Sequence, residues 1–150
     1  MAWQDIEVKN NITKLLSNLN INYTEDRECS VVQVTPNSKY DFNTVMAVFI
    51  WKTFPNITIT LDNKVQSDNR LELLELLNML NRETLFSVFL EKNTKGDEVL
   101  KVLTTVNSVS KLPSYSRIAL DFISKLERAL DLLMNGNNAH AVYLVCEFDD

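Results

Sequence analysis

Between Thr44 and Lys52 the chain is apolar on both faces that a strand would present: Val45, Ala47, Phe49 and Trp51 alternate with Met46, Val48 and Ile50. Side chains of a strand point alternately to opposite faces of the sheet. A strand of this pattern therefore belongs in the middle of a sheet, with its second face covered as well. An antiparallel sheet with helices on one side only would keep a wet, polar face. The cover is either intrachain, from the first helix or the C-terminal tail, or it comes from a second subunit or a bound client segment.

The neighbouring pattern makes this strand part of a meander. The β signal runs from Thr44 to Phe54 and stops at Pro55-Asn56. Ile57, Ile59 and Leu61 then alternate cleanly with Thr58 and Thr60. Upstream, Cys29 to Thr35 is short and β-branched and ends at Pro36, which begins a turn-like Pro36-Asn37-Ser38. These are three consecutive antiparallel strands.

Before them, Ile12, Leu15, Leu16 and Leu19 have helical spacing within Trp3 to Leu19, and Asn20, Asn22 and Asp26 break that pattern. After them, Ser67 is a candidate N-cap for a second helix over about Asp68 to Asn81, with Leu71, Leu74, Leu77 and Leu80 as its apolar face. Leu85 to Glu91 and Val99 to Val106 form a hairpin across Lys92-Asn93-Thr94-Lys95-Gly96-Asp97. Ser114 caps a third helix carrying Ile118, Phe122, Leu126, Leu130 and Leu133, and Asn135-Gly136 stops it. The tail Ala139 to Phe148 is apolar and reads equally as an added strand or a short helix. No repeat or linker divides residues 1–150, so a single α+β domain is expected. Its order is α-βββ-α-ββ-α, an antiparallel sheet of about five strands with helices packed on it.

That order resembles the type III secretion chaperone-like fold, shared by the specific-effector chaperones and the YbjN-like family of bacterial regulators. The resemblance spans about residues 6 to 134. Its sharpest piece is a helix ending Leu76-Leu77-Asn78-Met79-Leu80-Asn81, then Phe86-Ser87-Val88-Phe89-Leu90, then Gly96-Asp97-Glu98 leading into Val99-Leu100-Lys101-Val102. The apolar tail after Met134 departs from the family's pattern. The resemblance implies a helix-flanked sheet, dimeric, that binds or regulates other polypeptides, and it brings no catalytic residues with it.

Composition excludes several functions. Only Gly96 and Gly136 are glycine, where a chain of this length averages roughly ten, so neither GxGxxG nor GxxxxGK[ST] can be written. A formal charge of −5 without any Lys/Arg run argues against nucleic acid as a partner. No stretch is long and apolar enough to span a membrane, and Met1 to Ile12 carries Asp5, Glu7 and Lys9, so no secretory signal is read. The expected location is the cytoplasm, with Cys29 and Cys146 reduced. The sequons at Asn11, Asn22 and Asn56 then follow from a chain with 17 asparagines.

Candidate chemistry is equally sparse. His140 is the only histidine, and its spacing of six residues from Cys146 forces no contact on a helix or a strand. Cys29, His140 and Cys146 do not make a zinc set. Asp97-Glu98, Asp149-Asp150 and the helical pair Glu72/Glu75 sit where solvent is expected. No catalytic residue, metal or cofactor is assigned. The sequence reads as a non-enzymatic protein-binding domain, chaperone-like or regulatory, a homodimer with an apolar sheet or groove for an unknown protein partner. Phe49 and Trp51 are its leading contacts, with Phe86 and Phe89 second. The alternative is a small-molecule-binding domain or enzyme with a pocket between the sheet and the C-terminal helix. A purely structural subunit would share the apolar surface.

Overall fold

A computed structural model describes residues 3–26, 30–65 and 70–134. The chain runs α1 (Trp3–Asn18), β1 (Asn22–Asp26), β2 (Val31–Thr35), β3 (Thr44–Phe49), β4 (Asn56–Leu61), α2 (Arg70–Glu83), β5 (Ser87–Lys92) and β6 (Glu98–Thr105). A 3-10 turn at Val109–Lys111 leads into α3 (Leu112–Met134). The strands form one antiparallel sheet in the order β1-β2-β3-β4-β6-β5. The α+β class holds, with six strands where about five are expected.

The additional strand is β1. Its sequence Asn-Tyr-Thr-Glu-Asp has none of the β-branched density that marks a strand, and four of its five residues are exposed. It exists because α1 ends sharply. Asn20 takes the left-handed conformation at φ 57°, and the Ile21 amide donates to the Leu16 carbonyl at 2.9 Å, a helix-stopping turn. The reversed chain then pairs with β2 from Asn22↔Thr35 to Asp26↔Val31.

The pleat sorts β3 as its alternation requires. Thr44, Met46, Val48 and Ile50 are buried, whereas Val45, Ala47 and Phe49 are half-buried and Trp51 is exposed. Register carries the inner row across the sheet: Met46 lies opposite Ile59, Ile59 opposite Val102, and Val102 opposite Val88. These residues share one core cluster with Ile12 and Leu16 of α1, Leu73, Leu76, Leu77 and Leu80 of α2, and Phe122, Ile123, Leu126 and Leu130 of α3. All three helices therefore lie on the inner face. The first helix is not the cover of the outer face, because its apolar stripe is already packed against α3 and the core.

Two helical stripes are rotated from their expected positions. In α2 the buried set is Leu73, Leu76, Leu77 and Leu80, with Leu71 at 67% exposure and Leu74 also exposed. In α3, Ile118 is exposed while Ala119, Ile123 and Ala129 are buried beside the expected Phe122, Leu126, Leu130 and Leu133. Nor is Ser114 the cap of α3. Ser108 accepts from the Ser110 amide to open the 3-10 turn, and the helix continues from it at Leu112; Ser114 is inside, donating to the Lys111 carbonyl at 3.0 Å. In α1, Leu19 lies past the last turn and is exposed. β3 ends at Phe49, since the Phe54 amide bonds the Trp51 carbonyl to form a turn before Pro55. The Ser67 cap, Cys29, His140, Cys146, Asp149-Asp150, the Asn135-Gly136 stop and the tail fall outside the described residues.

The β5–β6 hairpin is built as expected. Asn93 Oδ1 accepts from the amides of Lys95 and Asp97, and Gly96 sits at φ 83°, which a residue with a Cβ adopts only at a cost. Arg70, first in α2, holds Glu98 through two bonds of 2.9 and 3.1 Å, which ties the helix start to β6.

Candidate functional site

On the outer face of the sheet Val31, Ala47, Phe49 and Trp51 form an apolar cluster on the β1 side. Register places Phe49 opposite Val31 on one side and Asn56 on the other, with Ala47 one pleat further along. The Phe49 and Trp51 rings lie 4.5 Å apart, tilted by 52°, a favourable aromatic geometry. Trp51 is 40% exposed and Phe54, in the same turn, is also exposed. Phe49 and Trp51, with the β1 edge, bound a groove of about 450 Å³ whose floor is Val31, Ala47, Phe49 and Trp51 and whose lining includes Glu25 and Asp26. Among the described residues, no helix crosses this face.

The four expected contact residues separate. Phe49 and Trp51 are together in the groove. Phe89 is 42% exposed on the same outer face, but its register partner Lys101 pairs in turn with Thr60, opposite Val45. That puts it three strand spacings and four residues away, roughly 20 Å. Phe86 is 4% exposed and stacks on Phe122 at 4.2 Å. It is a core residue, because Phe86, Val88 and Leu90 share the inner parity and Phe89 has the other one. A surface role for Phe86 is thereby withdrawn.

A second concavity, of about 670 Å³, lies between α3, the end of α1 and the β2–β3 connection. Its walls include Leu19, Ile21, Lys39, Tyr40, Ile123, Glu127 and Arg128. Here the structure shows a residue that the sequence reading passed over. Glu127 is 3% exposed; its Oε1 accepts from the Thr44 hydroxyl at 2.6 Å and its Oε2 from the Ser38 hydroxyl at 2.9 Å. Ser38 Oγ in turn accepts from the amides of Tyr40 and Phe42. One carboxylate thus fixes the β2–β3 connection to α3 and shapes this cavity. The available signal was its position: Glu127 falls four residues after Ile123 and three before Leu130, inside the buried stripe.

The open edge of β5 carries a further device. Asn81, near the end of α2, donates to the Val88 carbonyl at 2.8 Å and accepts from the Val88 amide at 2.7 Å, so a side-chain amide stands where another strand would pair. The edge at Val88 is occupied from within the chain, whereas the apolar groove at the other end of the sheet adjoins an exposed polar strand.

Charge chemistry on the described surface is modest. The Arg70 guanidinium, by its hydrogen bonds and then its charge, holds the Glu98 carboxyl below its ordinary value, and Glu98 raises Arg70 in return. Among the described residues no group of three or more His, Cys, Asp or Glu is placed to hold a metal ion. No described helix is long and apolar enough to cross a membrane.

Fold and site together define an α+β protein with all its described helices on one face of a six-stranded sheet and an aromatic groove at one end of the other. The chain is similar to YbjN, a proposed transcription regulator from E. coli, in its crystal structure: TM-score 0.49 and 16% sequence identity over 88% of this chain and 92% of that one. The resemblance read from the sequence was to the family named after that protein. No family model matches the chain, and no curated protein matches it.

Proposed function

We propose that the chain is a non-enzymatic protein-binding module, chaperone-like or regulatory, that engages a polypeptide other than itself through the Phe49–Trp51 end of the outer sheet face. The observation behind this reading is the exposed Trp51 paired with Phe49 on a face that no described helix covers. Exposed aromatic patches flanked by polar residues are what partner anchors require. The test begins with a partner identified from the native host, purified and titrated against the purified full chain. Trp51→Ser and Phe49→Ser should each weaken binding at least tenfold with the circular dichroism spectrum kept, and Phe89→Ser should matter less. Unchanged affinity in a folded Trp51→Ser variant removes the assignment.

A second reading is supported by the cavity beside Glu127, which is large enough for a small molecule and combines apolar walls with Lys39 and Arg128. It requires ligand-dependent thermal stabilisation from some member of a broad metabolite panel. A flat response across the panel counts against it.

A further inference from the structure

The cavity between α3, the end of α1 and the β2–β3 connection has spare hydrogen-bond donors and an acceptor already in use. On α3, two rows spaced four residues apart line it, Ile123 with Glu127 and Leu120 with Ser124 and Arg128. Leu19 and Ile21, at the end of α1, complete an apolar wall with Leu120 and Ile123. The sole carboxylate in the lining is Glu127, and both its oxygens already accept hydroxyl bonds, from Thr44 and Ser38. By contrast, the side chains of Asn37, Lys39, Tyr40 and Ser124 have no hydrogen-bond partner among the described residues, and each of the four can donate. Arg128 has an interaction of its own, which leaves Lys39 as the cation available to a ligand.

The connection that carries these donors is fixed in advance. Ser38 Oγ donates to Glu127 and accepts from the amides of Tyr40 and Phe42, so the backbone at Lys39 and Tyr40 is held before any ligand arrives. An apolar wall with spare donors suits an apolar body that ends in an acceptor-only head. An amine would have to share Glu127 with the two hydroxyls and sit beside Lys39, and a second negative charge on the ligand would meet the Glu127 carboxylate. From this we infer that the cavity binds a small organic monoanion, an apolar body bearing one carboxylate, with the carboxylate at Lys39 and Tyr40 and the body against Leu120 and Ile123. The site shares no lining residue with the Phe49–Trp51 groove. The inference rests on the small-molecule reading of the cavity and adds the class of the ligand to it.

The test titrates the purified full chain with phenylbutyrate, phenylbutanol and phenylbutylamine, which share one apolar body and differ in the head, by calorimetry and by amide NMR. Phenylbutyrate should bind about tenfold tighter than the alcohol at low salt and the amine weakest, with the amide shifts at Ile21, Lys39, Tyr40 and Ser124. Lys39 and Ser124 are both exposed, so their variants keep the fold. Lys39→Gln should bring the acid to within about twofold of the alcohol and leave the alcohol unchanged. Ser124→Trp puts bulk into the cavity and should weaken the acid about tenfold. Equal affinity for the three compounds, with the shifts in the cavity, overturns the charge inference and leaves the small-molecule reading in place. Acid binding that is unchanged in Lys39→Gln and in Ser124→Trp puts the ligand elsewhere and overturns the inference. No binding of any of the three at millimolar concentration overturns it too, and the metabolite panel then decides whether the broader reading falls with it.

Discussion

Replacing Glu127 tests how a single buried carboxylate organises the corner where α3 meets the β2–β3 connection. In Glu127→Ala two hydroxyl-to-carboxylate bonds, at 2.6 Å from Thr44 and 2.9 Å from Ser38, are lost together. Bonds to such a group contribute about 1.5–3 kcal/mol each, partly offset here because the carboxylate no longer has to be desolvated. The Thr44 hydroxyl, buried at 3% exposure, is left without its acceptor, so the net cost is about 3 kcal/mol, or roughly 6–12 °C in Tm for a chain of this size. Glu127→Gln should cost less, and the geometry says why. Ser38 Oγ already accepts two backbone amides, so a glutamine NH₂ facing it would find no lone pair. The amide must therefore turn its oxygen to Ser38 and its NH₂ to Thr44, which keeps one bond in neutral form and reverses the other, for a cost of about 1.5 kcal/mol. Urea unfolding of wild type, Glu127→Gln, Thr44→Val and the double variant measures the coupling, expected near 1 kcal/mol with unchanged m-values. A Glu127→Ala cost below about 1 kcal/mol, or an additive cycle, would show that the connection is held by its apolar contacts instead.

Asn81→Ala should cost about 2 kcal/mol and add concentration-dependent association seen by light scattering, because it uncovers the Val88 edge; Asn81→Asp, which can still accept from the Val88 amide, should lose about half as much. The Arg70–Glu98 pair lies at the surface and tests pH dependence. Since Glu98 is held below its ordinary 4.5, its contribution is present above that value and is lost as pH falls through the lower folded value. In Arg70→Gln the Glu98 carboxyl should titrate higher by NMR, with neutral-pH stability nearly unchanged; an unmoved Glu98 titration would break the assignment. Leu126→Ala should destabilise by about 3 kcal/mol and Ile118→Ser by less than about 0.5, a contrast in chemical denaturation set by which of the two is buried. Gly96→Ala should cost about 1 kcal/mol through its φ of 83° alone, since an added Cβ meets nothing within 4 Å.

Much of the fold was legible because burial writes a period into the sequence. Ile57, Ile59 and Leu61 alternate because β4 has one apolar face, and the Gly96 hairpin is marked by the one residue type free to take its backbone angle. Legibility failed where structure is held by something other than periodic burial. β1 is an edge strand of polar residues, held by its ladder to β2 and by the abrupt end of α1 at Asn20, so no hydrophobic pattern announces it. The rotated stripes of α2 and α3 arise because leucines and isoleucines exceed what one face can bury. Leu71, Leu74 and Ile118 satisfy a helical spacing as well as their buried neighbours do, and only the packing partner decides between the sets.

The candidate site shows the same division. Phe49 and Trp51 stand out in sequence because β3 has more apolar residues than a one-sided sheet can hide, and the structure sorts the excess onto the outer face. Phe86 and Phe89 could have been separated by parity alone: three residues apart in a strand, they cannot share a face, so at most one belongs with Phe49. Glu127 offered only its place within the buried stripe of α3, since its partners Ser38 and Thr44 are 89 and 83 residues away and each looks like an ordinary turn or strand hydroxyl. An apolar excess is a local property that a single segment can disclose. The partners of a buried carboxylate are readable only once the fold has brought its donors to it, which is why the apolar outer face was accessible to sequence reasoning and the hydrogen bonds shaping the neighbouring cavity were not.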